Sequence, residues 1–285
     1  MVAYRVLDIE TVPDHEAHPP GASKPKFSLR ALGPMQPMPG VPVRPEDISF
    51  VAPAGVELDE PFLPPLAHRV TAVSWVNMLG GDGSRYHYGG HFSKCLYSED
   101  GLFERSLLSE FSTAEKADDA MLITWNGRTF DLPVLSLRSL KHGVPFDFYY
   151  TDTDMRYRYS QAGHIDLMDY LSDYGASRFL SLDDMARLIG LPGKAGQLGG
   201  RNVDALLRES SRSADLDAAT AKVARYCLSD SLQTALIFLR TRVHLGKIGP
   251  EEHDTALLTF EESDVATKAG LDVDWSKLRM IGRNT

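Results

Sequence analysis

An α/β fold, a mixed sheet flanked by helices, is what this 285-residue chain predicts, and three patterns carry that expectation. A β-branched run opens the chain. Two more strand-like runs joined by a glycine-rich turn follow later, and past residue 100 strand and helix patterns alternate until helices take over.

The opening run, Tyr4 to Ile9, reads as a buried strand with carboxylates at its end. From Pro13 to about Pro65 the pattern dissolves into a proline- and glycine-rich stretch that forbids regular helix and central strand. At about fifty residues it exceeds ordinary connections. It leaves the first strand directly after those carboxylates, so it is expected to form an arm near them, able to touch a long ligand or a protein partner. His68 to Met78 and Arg85 to Phe92 are strand-like, with a hairpin turn over 79–84. Leu102 to Phe111 has helical apolar spacing, Met121 to Trp125 is a short strand, and Pro133 to His142 is a helix with Asp131 at its N-cap position. Asp166 is placed to cap a helix over Leu167 to Tyr174, and Ser181 with Asp184 forms an approximate capping box for a helix reaching Ile189. A glycine-rich connector from Gly190 to Gly200 precedes a long helix from about Asp215 to Val243. The expected organisation is one domain over 1–245, interrupted by the insertion at about 13–65, and a C-terminal helical appendage over 246–285.

Composition excludes several function classes. With 43% hydrophobic residues the chain has ample material for a core, and the net charge of −9 argues against a protein that coats nucleic acid nonspecifically. Cys95 and Cys227 are too few for a disulfide framework. No apolar run approaches the roughly 20 residues of a membrane span, and no leader precedes the first strand, so a cytoplasmic protein with no membrane association is expected. Gly193, Lys194 and Gly196 lack the spacing of a phosphate loop, and the nine histidines make no zinc pattern.

Three pairs carry chemistry. Asp8 and Glu10 lie two apart on a strand, so both project from one face and can share a cation. Tyr226 and Asp230 lie four apart on the long helix, one turn above each other. Asn126 and Asp131 bracket the strand-to-helix loop, where Asp131 can cap the helix or reach across the end of the sheet. Alone, each has an ordinary reading, a solvated strand edge for Asp8 and Glu10, a core-margin aromatic with a solvent-facing acid for Tyr226 and Asp230, and a helix cap for Asp131; the joint order is what distinguishes them.

D-x-E on the first strand, N-x3-F-D after a later strand and Y-x3-D on a late helix resemble the three exonuclease motifs of the DEDD superfamily in its tyrosine-containing form. The chain is similar to stand-alone proteins related to the proofreading exonuclease domain of family-B DNA polymerases. Further similarity at Pro64 to Val70 and at His164 to Asp169 extends the resemblance over most of residues 1 to 240. It implies a ribonuclease-H-like (DnaQ-like) fold and a 3′-5′ exonuclease acting on single-stranded nucleic acid, DNA before RNA. It further implies Asp8, Glu10, Asp131 and Asp230 as the carboxylates for two Mg²⁺ or Mn²⁺ ions, and Tyr226 as the residue that orients the attacking water. Thr11, Asn126 and Phe130 become the expected substrate contacts. Phe130 serves equally as a stacking ring or a core residue, and Asn126 as a contact or a loop brace. Two alternatives stand beside this reading: a nuclease of the same fold acting on RNA ends, and a catalytically silent nucleic-acid-binding module. The roughly 55 residues after the last motif are too few for a polymerase domain.

Overall fold

The computed structural model describes residues 2–17, 63–81, 83–193 and 198–281. Most of the insertion expected at 13–65 lies outside them, and with it the arm and partner expectations. Its described base is closed: Pro13 pairs with His68, and the Asp14 N–H donates to the Ala67 carbonyl at 2.7 Å.

Five strands form one mixed sheet. Strands β1 (Val2–Pro13), β2 (His68–Gly81) and β3 (Ser84–Cys95) are antiparallel neighbours, and β4 (Met121–Thr124) and β5 (His164–Asp166) run parallel to β1, in the order β3-β2-β1-β4-β5. The expected hairpin is present but tighter, because Gly81 already pairs with Ser84. Strand β5 was not anticipated; three residues are too short for a periodic signal.

Strand β1 is buried on both faces, and its alternation sorts side chains into two layers. Tyr4 and Val6 pack with Leu228, Leu232 and Leu236 of the long helix α8 (Leu216–His244). Leu7 and Ile9 pack on the opposite side with Leu107, Leu108 and Phe111 of α1 (Glu104–Asp118) and with Leu132 and Leu135 of α2 (Asp131–His142). The sheet is thus sandwiched between helices, as the patterning predicted.

Short helices α3 (Asp147–Thr151), α4 (Thr153–Arg156) and α5 (Leu167–Leu171) surround β5, and α6 (Leu182–Ile189) and α7 (Gly200–Ser210) precede α8. Ser181 caps α6 by accepting from the Asp184 N–H, and Asp166 caps α5 by accepting from Met168 and Asp169. Helix α5 stops before the predicted Tyr174, because Asp173 and Tyr174 take left-handed φ of 52° and 54°. Helix α7 begins where the connector was expected to end. After α8 come α9 (Pro250–Glu262), α10 (Val265–Ala269) and α11 (Trp275–Leu278). Leu257, Phe260 and Val265 belong to the same apolar cluster as Tyr4 and Val6, and the Thr259 hydroxyl accepts the Tyr88 N–H of β3 at 2.8 Å.

A buried ionic knot fastens the exit of β1. The Arg138 guanidinium from α2 donates to both oxygens of Glu104 at 2.7 and 2.6 Å and to Asp14 at 2.5 Å. Glu104 also accepts the Val70 N–H of β2, and Lys141 reaches Asp14 at 3.0 Å. One cation thereby ties α1, α2 and the residues just past Glu10 together.

Candidate metal centre

The site arises where the sheet changes direction. From β1 the chain continues to β2 on one side, and from β4 it continues to β5 on the other, so the carboxyl ends of β1 and β4 lie at a topological switch point. Pairing between β1 and β4 stops at Val6 and Ile123. The following residues of β1 therefore have no β4 neighbour, and these are the residues that carry the acids.

Asp8 and Glu10 project from the face of β1 that also bears Tyr4 and Val6, the face covered by α8. Asp230 meets them from that helix. Carboxylate oxygens of Asp8, Glu10 and Asp230 lie within 4.8 Å of one another; Glu10 and Asp230 are buried and Asp8 is half-buried. Three anions so close repel unless a cation joins them, and an all-oxygen donor set suits a hard divalent ion. On donor type and spacing the residues fit a hard divalent cation.

Asp131 does not cap α2. It is the first residue of the helix, Phe130 holds the cap position without a side-chain bond, and the Asp131 carboxylate instead accepts the Ile9 N–H at 3.2 Å. The reason is the unpaired edge of β1: past Val6 a strand N–H needs an acceptor that β4 does not supply. Burial pushes the Asp131 carboxyl up to about 7, with the Asp166 and Asp230 charges adding to the effect. Asp131 stands beside the trio and not within its 4.8 Å grouping.

Asp166 anchors the loop that delivers Asp131. Besides capping α5, its carboxylate accepts the N–H groups of Asn126 and Arg128, each at 2.9 Å. Asn126 takes a left-handed φ of 66°, a conformation asparagine tolerates, and its side-chain oxygen accepts the Thr129 hydroxyl. The structure thus shows Asn126 bracing the loop. Gly127 is required at the same turn, since a Cβ there would sit 2.5 Å from the Thr124 side chain.

Thr11, His68 and Phe130 form a cluster next to Glu10. His68 Nε2 lies 3.1 Å from the Leu63 carbonyl, which can only accept, so Nδ1 is the acceptor that takes the Thr11 hydroxyl at 2.9 Å. The Phe130 ring meets His68 edge-on at 4.9 Å and also packs on the α1 and α2 core, so it stands at the margin of that core. Burial lowers the His68 pKa, keeping the ring neutral.

Two neighbours of the acids escaped the sequence reading. The Cys227 thiol donates to Asp8 Oδ2 at 3.3 Å and lies 3.4 Å from the Asp8 carbonyl. Its signal was available, since Cys227 precedes Asp230 by three and shares its helix face. Burial, with Asp8 and Glu10 nearby, pushes the thiol pKa well above its ordinary value. His68 had no local signal, because its side-chain partners Thr11 and Phe130 are far away in sequence. Tyr226 is buried on α8, one turn before Asp230.

A mixed sheet with acids gathered at its switch point defines an α/β protein equipped to hold divalent cations. Residues 60–268 match the family described as a predicted 3′-5′ exonuclease related to the exonuclease domain of PolB, and the chain belongs to that family. Among solved structures it is similar to the family B DNA polymerase of the hyperthermophilic archaeon Pyrobaculum calidifontis. That similarity has 14% identity and a TM-score of 0.42, and covers 92% of this chain and 29% of the polymerase chain. No curated protein matches the sequence. The mixed sheet between helices is the ribonuclease-H-like arrangement that the motifs implied. Among the described residues no helix is long and apolar enough to cross a membrane.

Proposed function

We propose that the protein removes nucleotides from the 3′ end of single-stranded nucleic acid, with DNA as the preferred substrate, using two Mg²⁺ or Mn²⁺ ions. The observation that carries this reading is the convergence of Asp8, Glu10 and Asp230 within 4.8 Å at the sheet's switch point. The DNA preference rests on the family's relation to the exonuclease domain of PolB. The two cysteines are free and buried, in keeping with a reducing, cytoplasmic setting.

Asp8, Glu10 and Asp230 would hold the cations, with Asp131 completing the set. Bound divalent ions supply the positive charge that stabilises both the attacking and the leaving oxygen of an in-line phosphodiester hydrolysis. The chain's own residues do the rest. Cys227 restrains the Asp8 carboxylate, Asp166 holds the loop behind Asp131, and Thr11 and Phe130 border the place where a terminal nucleotide would lie. Tyr226 orients the attacking water by hydrogen bonding; a phenol with an ordinary pKa near 10 is a poor base at neutral pH.

The test uses single strands of DNA and of RNA labelled at either end. With Mg²⁺ or Mn²⁺ the 5′-labelled DNA should shorten in single-nucleotide steps, and excess chelator should abolish this. Faster loss from RNA would transfer the substrate assignment, and binding without any cleavage would mark a silent module. Tyr226→Phe is expected to lower turnover about tenfold, the order of one hydrogen bond lost from the attacking water, while calorimetry shows near-normal Mn²⁺ affinity. Abolished metal binding in that variant would contradict the role given to the phenol.

A further inference from the structure

Tyrosines and arginines concentrate on one surface next to the candidate site. Tyr150, Tyr157 and Tyr159 are 54%, 59% and 54% exposed, unusual for rings with a core available beside them. They are held in place instead of burying themselves. The Tyr157 and Tyr159 rings meet edge-on at 5.8 Å, and Tyr159 meets Tyr174 at 4.7 Å. The Arg156 guanidinium lies over Tyr150 at 5.2 Å, and that of Arg158 over Tyr174 at 5.9 Å.

Two acids of this surface, Asp147 and Asp169, are neutralised by ion pairs, and two, Asp152 and Asp154, are held by neutral donors and keep their charge. Asp147 pairs with Lys116, Asp152 accepts the Asp154 N–H, Asp154 accepts the Ser160 hydroxyl, and Asp169 pairs with Arg158. Among the described residues no carboxylate pairs with Arg128 or Arg156. Neither arginine is neutralised by an ion pair, although the Arg128 guanidinium already donates to the Arg156 and His164 carbonyls.

Two hydrogen bonds connect this segment to the elements that carry the metal centre. Tyr150 Oη lies 2.6 Å from Ser136 Oγ on α2, the helix that begins at Asp131; five residues of helix correspond to about 7.5 Å along its axis. Arg128, in the loop that carries Asp131, donates to the Arg156 carbonyl at 3.2 Å. Exposed rings with cations between them suit unpaired bases and their phosphates, because stacking tolerates every base and arginine serves both ring and phosphate.

We propose that Tyr150, Tyr157 and Tyr159, with Arg128 and Arg156, form a stacking platform for the nucleotides upstream of the 3′ end of a single strand. The platform deepens the exonuclease reading and rests on it for the direction of the strand. It makes the enzyme's efficiency depend on strand length, since a trinucleotide reaches the metals and a 12-mer reaches the rings.

The test is fluorescence anisotropy of a 5′-labelled 12-mer of single-stranded DNA with chelator present, together with cleavage of 12-mer and trinucleotide with Mn²⁺. Tyr157→Ala/Tyr159→Ala should weaken 12-mer binding about tenfold or more, and Tyr157→Trp/Tyr159→Trp should restore it. Arg156→Gln should flatten the salt dependence of log affinity by about 0.7. In cleavage, the alanine variant should lose about tenfold more efficiency on the 12-mer than on the trinucleotide. Unchanged 12-mer affinity in the folded alanine variant overturns the platform, whatever the nuclease activity. If the alanine variant loses 12-mer binding but wild type cleaves neither strand, the platform stands and the exonuclease reading falls. If wild type cleaves both and the variant shows the same 12-mer to trinucleotide ratio, the platform falls alone, and the surface belongs to a protein partner.

Discussion

Alanine at Asp8 or Asp230 is expected to lower the rate of 3′-nucleotide release at least about a hundredfold, the scale seen when charge stabilisation of a transition state is removed. Both substitutions should leave a folded protein. Each deletes one of three carboxylates crowded within 4.8 Å, so in chelator the variants should be as stable as wild type or slightly more so. Saturating Mn²⁺ should reverse that order. An ion that binds only the folded state raises the melting temperature of wild type, and a variant lacking a ligand gains less. Full activity in either folded variant would overturn the assignment of these acids.

Arg138→Leu should destabilise the fold by about 3–5 kcal/mol, because it strands the buried carboxylates of Glu104 and Asp14 without their shared cation. Urea unfolding measures this directly. The acid limb of stability should change too. Burial opposes ionisation of Asp14, but the hydrogen bonds from Lys141 and Arg138 outweigh it and hold its carboxyl well below the usual carboxylate range. A depressed folded pKa contributes stability that is complete above the unfolded value, near 3.9, and is lost as pH falls through the folded value. Wild type should therefore weaken below about pH 4, and Arg138→Leu should weaken less steeply there because it has already lost part of that linkage. A variant with wild-type unfolding at neutral pH would show that the knot contributes nothing to stability.

Much of the local architecture was legible in the residues. Asp8 and Glu10 had to share a face because strands alternate, and Tyr226 and Asp230 had to stand one turn apart because helices repeat. Ser181 and Asp166 declared their helix starts through a polar side chain placed just before an apolar run. The same local logic misjudged Asp131. Its position at a helix start is what a cap looks like in sequence, yet the decisive partner is the Ile9 N–H, 122 residues away.

That contrast marks the boundary for this protein. By itself the sequence determined which residues face together within each strand or helix, and the order of three motifs named the chemistry they suit, because both are properties of short segments and their succession. Only the tertiary structure decided that the acids of β1 and α8 come within 4.8 Å, that the Cys227 thiol turns to Asp8, and that Thr11 is committed to His68. The physical reason is that these contacts depend on where β1 outruns β4 and how α8 crosses the sheet. That packing is set by the burial of Val6, Leu228 and Leu232 and by the whole core around them, which no window of neighbouring residues contains.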